Sequence, residues 1–276
     1  MLINDYKEVA NLIKKSKTAL FLTGAGMSAD SGIPTFRDKE GYWRNFPVFK
    51  EKGLEAQELA SPYSFEVRPA YAWAFYEWRR RNAHKNTPHE GYYVIIRLMK
   101  EIFESSFIHT TNTDGYHLRS GAPKDSVYEV HGSMWRLQCM RGLACSFYVQ
   151  ENYDVPLCAL DETTMQASNL PYCPVCGSLL RPNILMFGDW DYIENEYQAN
   201  NYYSFINNCK YPDIVFLIGS SGAVPTNDYV ANKLKFYGSK IITINPAKES
   251  THICKPDIFL QDTAKNALTQ IANMVF

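Results

Sequence analysis

A chain of 276 residues, 46% hydrophobic and 21% charged, carries enough apolar material for one large domain or for a large domain with a smaller module. Lys and Arg total 28 against 29 Asp and Glu, so no net positive field exists to hold a nucleic-acid backbone or an anionic membrane. No apolar run approaches the roughly 20 residues that a bilayer-spanning helix needs. The stretch 1–17 mixes Asp5 and Glu8 with lysines, unlike a signal or transit peptide. A cytoplasmic location is therefore expected, with the seven cysteines reduced or metal-bound and not paired in disulfides. The high aromatic content, 14%, fits a thick core as well as a lined cleft.

In chain order, Val9, Leu12 and Ile13 fall at helical spacing and mark 1–17 as the first helix. Four apolar, β-rich runs follow at 19–23, 107–111, 214–219 and 241–245, and they read as buried parallel strands. Ligands in such sheets collect where the strands end, so Gly24, Asn112, Asp114, Gly219 and Asn245 are the first residues to inspect. After the first run, Gly24-Ala25-Gly26-Met27-Ser28-Ala29 fits G-x-G-x-x-G/A, a turn that lets a pyrophosphate approach backbone N–H groups. No acidic residue ends a second strand about 20 positions later, as an ordinary dehydrogenase requires. The first insertion holds helical patterns at 68–84 and 90–104, and its basic run Arg79-Arg80-Arg81 reads by default as a solvated face. A second insertion, 133–178, carries five of the seven cysteines, and neither insertion is expected to add a strand to the sheet.

Within that second insertion, Cys173-Pro-Val-Cys176-Gly177 has the spacing of a zinc knuckle: two thiolates three positions apart reach one metal, and the glycine permits the turn. A thioredoxin-like redox pair is the competing reading. Two further thiolates close a tetrahedron, with Cys139 and Cys145 as the expected pair and Cys158 as the alternative fourth ligand, because the five-residue gap exceeds the usual two to four. Such a site is structural, with no open position for water. Cys209 and Cys254 read as ordinary buried thiols.

The wider text around the glycine turn, residues 24–37, reads Gly-Ala-Gly-Met-Ser-Ala-Asp-Ser-Gly-Ile-Pro-Thr-Phe-Arg and resembles the sirtuin signature almost residue for residue. Residues 110–117, Thr-Thr-Asn-Thr-Asp-Gly-Tyr-His, are similar to that family's T-Q-N-I-D-x-L-H, with Thr111 in place of glutamine and Thr113 in place of isoleucine. Glu129-Val130-His131-Gly132-Ser133 looks like the family's His-Gly pair, Gly219-Ser220-Ser221 resembles its G-T-S, and Asn245 resembles its ribose-binding asparagine. The resemblance runs from about Thr18 to Pro246.

The resemblance implies an enzyme that consumes NAD to strip acyl groups from lysine side chains of proteins or peptides, yielding nicotinamide and O-acyl-ADP-ribose. By the same resemblance, Gly24, Ala25, Gly26 and Ser28 approach the cofactor phosphates, and Phe36 and Arg37 close over the nicotinamide ribose. Thr111, Gly219, Ser220, Ser221 and Asn245 contact ribose or phosphate, Asn112 orients the ribose, and Asp114 holds the nicotinamide carboxamide. His131 becomes the general base, a role suited to an imidazole whose ordinary pKa is about 6.5. His117 receives a structural role. Gln57-Glu-Leu-Ala60-Ser-Pro62 and Phe75-Tyr76-Glu-Trp-Arg79 resemble the sirtuin class that takes acidic acyl groups. Tyr76 and Arg79 share a helix face, able to bind a succinyl or malonyl carboxylate, and Ala60 leaves room. Phe187 and Gly188 resemble the peptide-binding Phe-Gly-Glu stretch, with Asp189 replacing the glutamate.

The fold so implied is α/β: a doubly wound, Rossmann-like parallel-sheet domain (1–37, 105–132 and 179–276) with an inserted small helical and zinc-binding module (38–104 and 133–178). Two other functions stay open, an NAD hydrolase or ADP-ribosyltransferase on the same scaffold and a non-catalytic NAD or ADP-ribose sensor. The sequence leaves the oligomeric state open.

Overall fold

The computed structural model describes residues 2–35, 39–251 and 253–276. Among the described residues the strands are β1 (Thr18–Thr23), β2 (Ser105–Thr110), β3 (Val127–Glu129), β4 (Gly132–Cys139), β5 (Gln150–Glu151), β6 (Ala159–Asp161), β7 (Gln166–Ser168), β8 (Leu180–Ile184), β9 (Ile214–Ile218), β10 (Lys240–Ile244) and β11 (Ile258–Leu260). Six of them make one sheet in the order β11-β10-β9-β1-β2-β3, all neighbours parallel. The chain steps outward from β1 to β3 and, after the insertion, from β9 to β11. The order therefore reverses between β1 and β9, the place where a doubly wound sheet opens a crevice for ligands. The four runs expected from sequence are β1, β2, β9 and β10. The sheet adds β3 and β11, three residues each.

Buried on both faces, these strands read as continuous apolar runs. Leu20, Leu22, Val215 and Leu217 pack under the helices Glu196–Cys209 and Thr226–Phe236. Phe21 and Phe216 stack at 5.0 Å on the opposite face, beneath the helices Leu2–Lys15, Glu90–Glu101 and Ala264–Val275.

The first insertion folds as short helices leading into Pro69–Lys85. Ser61 caps the helix Pro62–Val67 by accepting from the Ser64 N–H, with Pro62 at the first position where no donor is missed. Aromatics fill its interior: Phe46 lies 4.7 Å from Trp78 and 5.4 Å from Phe75, so the aromatic surplus in this insertion is core. The reading of Arg79-Arg80-Arg81 as a solvated face fails at Arg80. That side chain is fully buried, donates to the carbonyls of Met134, Asn152 and Asp154, and lies 4.9 Å over the Trp135 ring. Glu77, also fully buried, pairs with Arg81 at 2.9 Å.

The second insertion adds nothing to the parallel sheet. Its strands β4 and β5 join β8, which follows the insertion, in an antiparallel sheet of order β5-β4-β8, and β6-β7 form a separate hairpin. Among the described residues no helix is long and apolar enough to cross a membrane.

Candidate active site and metal centre

At the switch point two turns press backbone on backbone. The Gly24 N–H donates to Ile218 O at 2.9 Å, Gly26 N–H to Gly219 O at 2.9 Å, and Gly219 N–H to Ile244 O at 2.9 Å. A Cβ on Gly26 would sit 2.7 Å from Gly219 Cα, and one on Gly24 2.9 Å from Gly219 O. Gly219 is left-handed (φ +64°), and its Cβ would fall 2.3 Å from the Met27 nitrogen. The turn is followed by a single helical turn, Gly26–Ala29, and Ala25 is exposed at its tip. Ser220 donates to Asp228 Oδ2 at 2.5 Å, and half-buried Ser221 accepts from the Ala223 N–H. Asn245, fully buried, donates to the Ser220 carbonyl and accepts from the Ala247 N–H, tying the end of β10 to that of β9.

Across the crevice, Ser28 is turned inward, its hydroxyl donating to Asp114 Oδ2 at 2.6 Å and accepting from Asn112 Nδ2 at 2.9 Å. Tyr92 closes the cluster with its hydroxyl 2.9 Å from Ser28 Oγ. Burial raises the Asp114 carboxyl above its ordinary value, opposed by the Ser28 hydroxyl, the Tyr116 N–H and the Arg79 charge. Thr111, half-buried, donates to Thr23 O at 3.3 Å. His117 is buried 2.8 Å from Thr23 Oγ1, a structural position. Nothing in the sequence singles out Tyr92, one tyrosine of 19. Phe36 and Arg37, expected over the nicotinamide ribose, lie outside the described residues.

His131 follows β3 and precedes Gly132, whose left-handed backbone (φ +77°) lies so close to β8 that a Cβ would meet Asn183 O at 2.1 Å. The imidazole is partly buried, with Nε2 3.2 Å from Thr226 Oγ1. Burial lowers its pKa from the ordinary value, opposed by a backbone hydrogen bond with Thr111, and so favours the neutral ring, the form able to accept a proton, near pH 7. The neighbouring Asn227 donates to Thr23 O at 2.9 Å and lies 2.9 Å from His109 Nδ1, locking β1, β2 and the start of the helix Thr226–Phe236 together. Thr226 and Asn227 are site residues that the sequence motifs miss, although Pro225-Thr-Asn-Asp is a helix-start pattern.

Tyr76 and Arg79 are brought together as their spacing requires. Tyr76 is buried, and the Arg79 guanidinium lies 5.3 Å from its ring centroid and shares a side-chain hydrogen bond with it. Arg79 Nη2 also donates to Thr113 Oγ1 at 3.2 Å, which links this pair to the Asn112–Asp114 segment. The Phe187 N–H donates to Ala60 O at 3.0 Å, joining the two stretches expected to hold substrate. Phe187 and Gly188 are exposed, whereas Asp189 is not available to a peptide: it forms a fully buried two-pronged pair with Arg181, both contacts at 2.8 Å.

Cys139, Cys145, Cys173 and Cys176 place their sulfur atoms within 4.8 Å of one another. The closest pairs are Cys139 with Cys176 at 3.5 Å and Cys145 with Cys173 at 3.7 Å. Four thiolates so disposed suit a tetrahedral zinc ion with no open position. A 3-10 turn, Gly142–Ala144, folds the chain back so that Cys145 closes the set despite its long spacing. Cys158 is buried outside the cluster, its carbonyl accepting from Arg81. Cys254 is a buried thiol and Cys209 a half-buried one.

The family model described as "Sir2 family" matches residues 24–226. An NAD-dependent protein deacylase of Pyrococcus furiosus is 32% identical over 270 residues, covering 97% of both chains. Another of Candida albicans is 32% identical over 277 residues, covering 87% of this chain and 86% of its own. A solved Sir2 homologue in complex with NAD superimposes with a TM-score of 0.78 at 27% identity, over 97% of this chain and 93% of that one. With the switch-point turns, the His131-Gly132 pair and the four-cysteine cluster in place, the chain belongs to the Sir2 family.

Proposed function

We propose that the protein removes acyl groups from lysine side chains of proteins or peptides in a reaction that consumes NAD, and that residues 1–37, 105–132 and 179–276 bind the dinucleotide while 38–104 and 133–178 form the small module, from which the helix Glu90–Glu101 returns to cover the sheet. One observation carries this reading: a neutral, partly buried His131 is fixed by Thr226 where the parallel strands end. The crevice suits a dinucleotide, because Gly24, Gly26 and Gly219 leave bare backbone at the switch point. NAD supplies the electrophilic ribose carbon and the hydroxyl that accepts the acyl group.

This chain's residues position and move protons. Asn112, held by Ser28, presents its amide to the ribose, and Asp114, kept in a dry cluster, accepts from the nicotinamide carboxamide. His131 takes the proton of the accepting hydroxyl. Ala60, Phe187 and Gly188 flank the acyl-lysine, and Tyr76 with Arg79 receives an acidic acyl terminus such as succinyl or malonyl. The four cysteinates hold zinc as a structural brace.

The test is to incubate the protein with NAD and acetylated or succinylated peptide and to identify products by mass spectrometry. Peptide-dependent O-acyl-ADP-ribose is the expected result. Free ADP-ribose without peptide, or an ADP-ribosylated acceptor, would replace this reading with hydrolysis or transfer, and binding without turnover would leave a sensor.

A further inference from the structure

A cleft of about 690 Å³ opens between the helices Glu196–Cys209 and Thr226–Phe236, with β2 and β3 as its floor. None of the residues placed above at the dinucleotide, the acyl group or the metal lines it. Its inner surface is buried and carries His109, Tyr128, Tyr202 and Leu234. Its rim is exposed: Lys210 and Tyr211 both take positive φ (+57° and +139°), and Tyr211 lies flat on Tyr237, ring centroids 4.2 Å apart and 3° inclined.

The charge of this lining is one-sided. Lys210 and Lys233, both exposed, are its cations, and no carboxylate belongs to it. Lys235 and Lys240 pair with Asp257 at 3.5 and 3.4 Å, whereas neither Lys210 nor Lys233 has an ion-pair partner among the described residues. Glu194 accepts from the Tyr128 hydroxyl but lies outside the lining. Asn207 and five tyrosines supply the remaining polar groups besides His109. An amide or a hydroxyl serves as donor or acceptor, so these accommodate a ligand without selecting its charge.

His109, 3% exposed, is restricted to one role. Asn227 Nδ2 donates to the Thr23 carbonyl, so Asn227 Oδ1, 2.9 Å from His109 Nδ1, must accept from it. Nδ1 therefore carries the ring proton, and Nε2 is left with a lone pair. Burial lowers the His109 pKa to about 4, which keeps Nε2 unprotonated at neutral pH. Nε2 has no partner among the described residues and is not sealed inside the protein, so it faces the cleft.

Two kinds of atom in this lining act in one sense only: the rim ammonium groups donate, and Nε2 at the floor accepts. A carboxylate gains at the rim but would set lone pair against lone pair at the floor, so it points outward. A hydroxyl or ring N–H suits the floor. Between them lie apolar and aromatic walls, in a volume within the range of small-molecule pockets. We propose that this cleft is a second ligand site, separate from the dinucleotide crevice, for an aromatic carboxylate that carries a hydrogen-bond donor at the end opposite its carboxylate.

The test titrates 6-hydroxy-2-naphthoate into the zinc-loaded full chain by calorimetry, with and without saturating NAD. Saturable binding of one probe per chain, unchanged by NAD, is expected. Lys210→Gln combined with Lys233→Gln, both at exposed side chains, should weaken it at least about tenfold. The uncharged 6-hydroxy-2-naphthamide, and 2-naphthoate, which lacks the donor, should each bind at least about fivefold more weakly than the probe. Competition with NAD, unchanged affinity in the double variant, equal binding of either analogue, or no saturable binding up to about 5 mM would each overturn the proposal.

Discussion

The crevice at the end of the parallel sheet and the cysteine module reach order by opposite routes. Around the crevice, strands with fully buried side chains and backbone turns in mutual contact fix the site before any ligand arrives. Around the cysteines, beyond β4, which ends at Cys139, the strands β5, β6 and β7 are only two or three residues long, and Leu143, Tyr148 and Val175 stand exposed. There the thiolates must do what burial does elsewhere. The one region is a preformed receptor, and the other is a brace whose order depends on its metal.

Metal removal should break that contrast most sharply. Structural zinc sites of this type carry about 10–16 kcal/mol of apparent binding energy. Metal analysis should find one zinc per chain, and chelation, or Cys145→Ser, should abolish it and loosen 139–178 in hydrogen exchange while the sheet stays protected. Cys158→Ser should keep its zinc. Next in size, Gly219→Ala places a methyl against the Met27 and Gly26 backbone, which cannot yield, and should cost more than about 3 kcal/mol in urea unfolding. Gly53→Ala, equally left-handed but in open space, should cost only about 1–2 kcal/mol.

The buried histidines add a pH dependence to the sheet region. Burial lowers His117 to about 3 and His109 to about 4. The unfolded chain takes up these protons near pH 6.5 and the folded chain does so only well below it, so stability present above pH 6.5 is lost as pH falls toward 4. A decline of a few kcal/mol across that window is expected in urea titrations, since each tenfold loss of proton affinity on folding is worth about 1.4 kcal/mol. The smallest effect is on selectivity: Arg79→Met should lower desuccinylation about tenfold relative to deacetylation, compared as kcat/KM.

The glycine turn, the Asn112-x-Asp114 segment, the His131-Gly132 pair and the four long strands were legible because backbone crowding and two-sided burial leave few residue types to choose from. β3 and β11 were not, since three residues carry no period. Arg80 misled because its partners are carbonyls at 134, 152 and 154, far away in sequence. The contest between Cys145 and Cys158 needed the 3-10 turn at Gly142–Ala144, which no spacing rule contains. Thr113, a departure from the family pattern, became intelligible only with Arg79 lying beside it.

His131→Ala bears most directly on the account, with NAD affinity and peptide turnover measured on the same preparation. If a neutral imidazole moves the proton without building the dinucleotide site, NAD affinity should change by less than about threefold while lysine release falls by at least about a hundredfold. Near-normal turnover in that variant would contradict it.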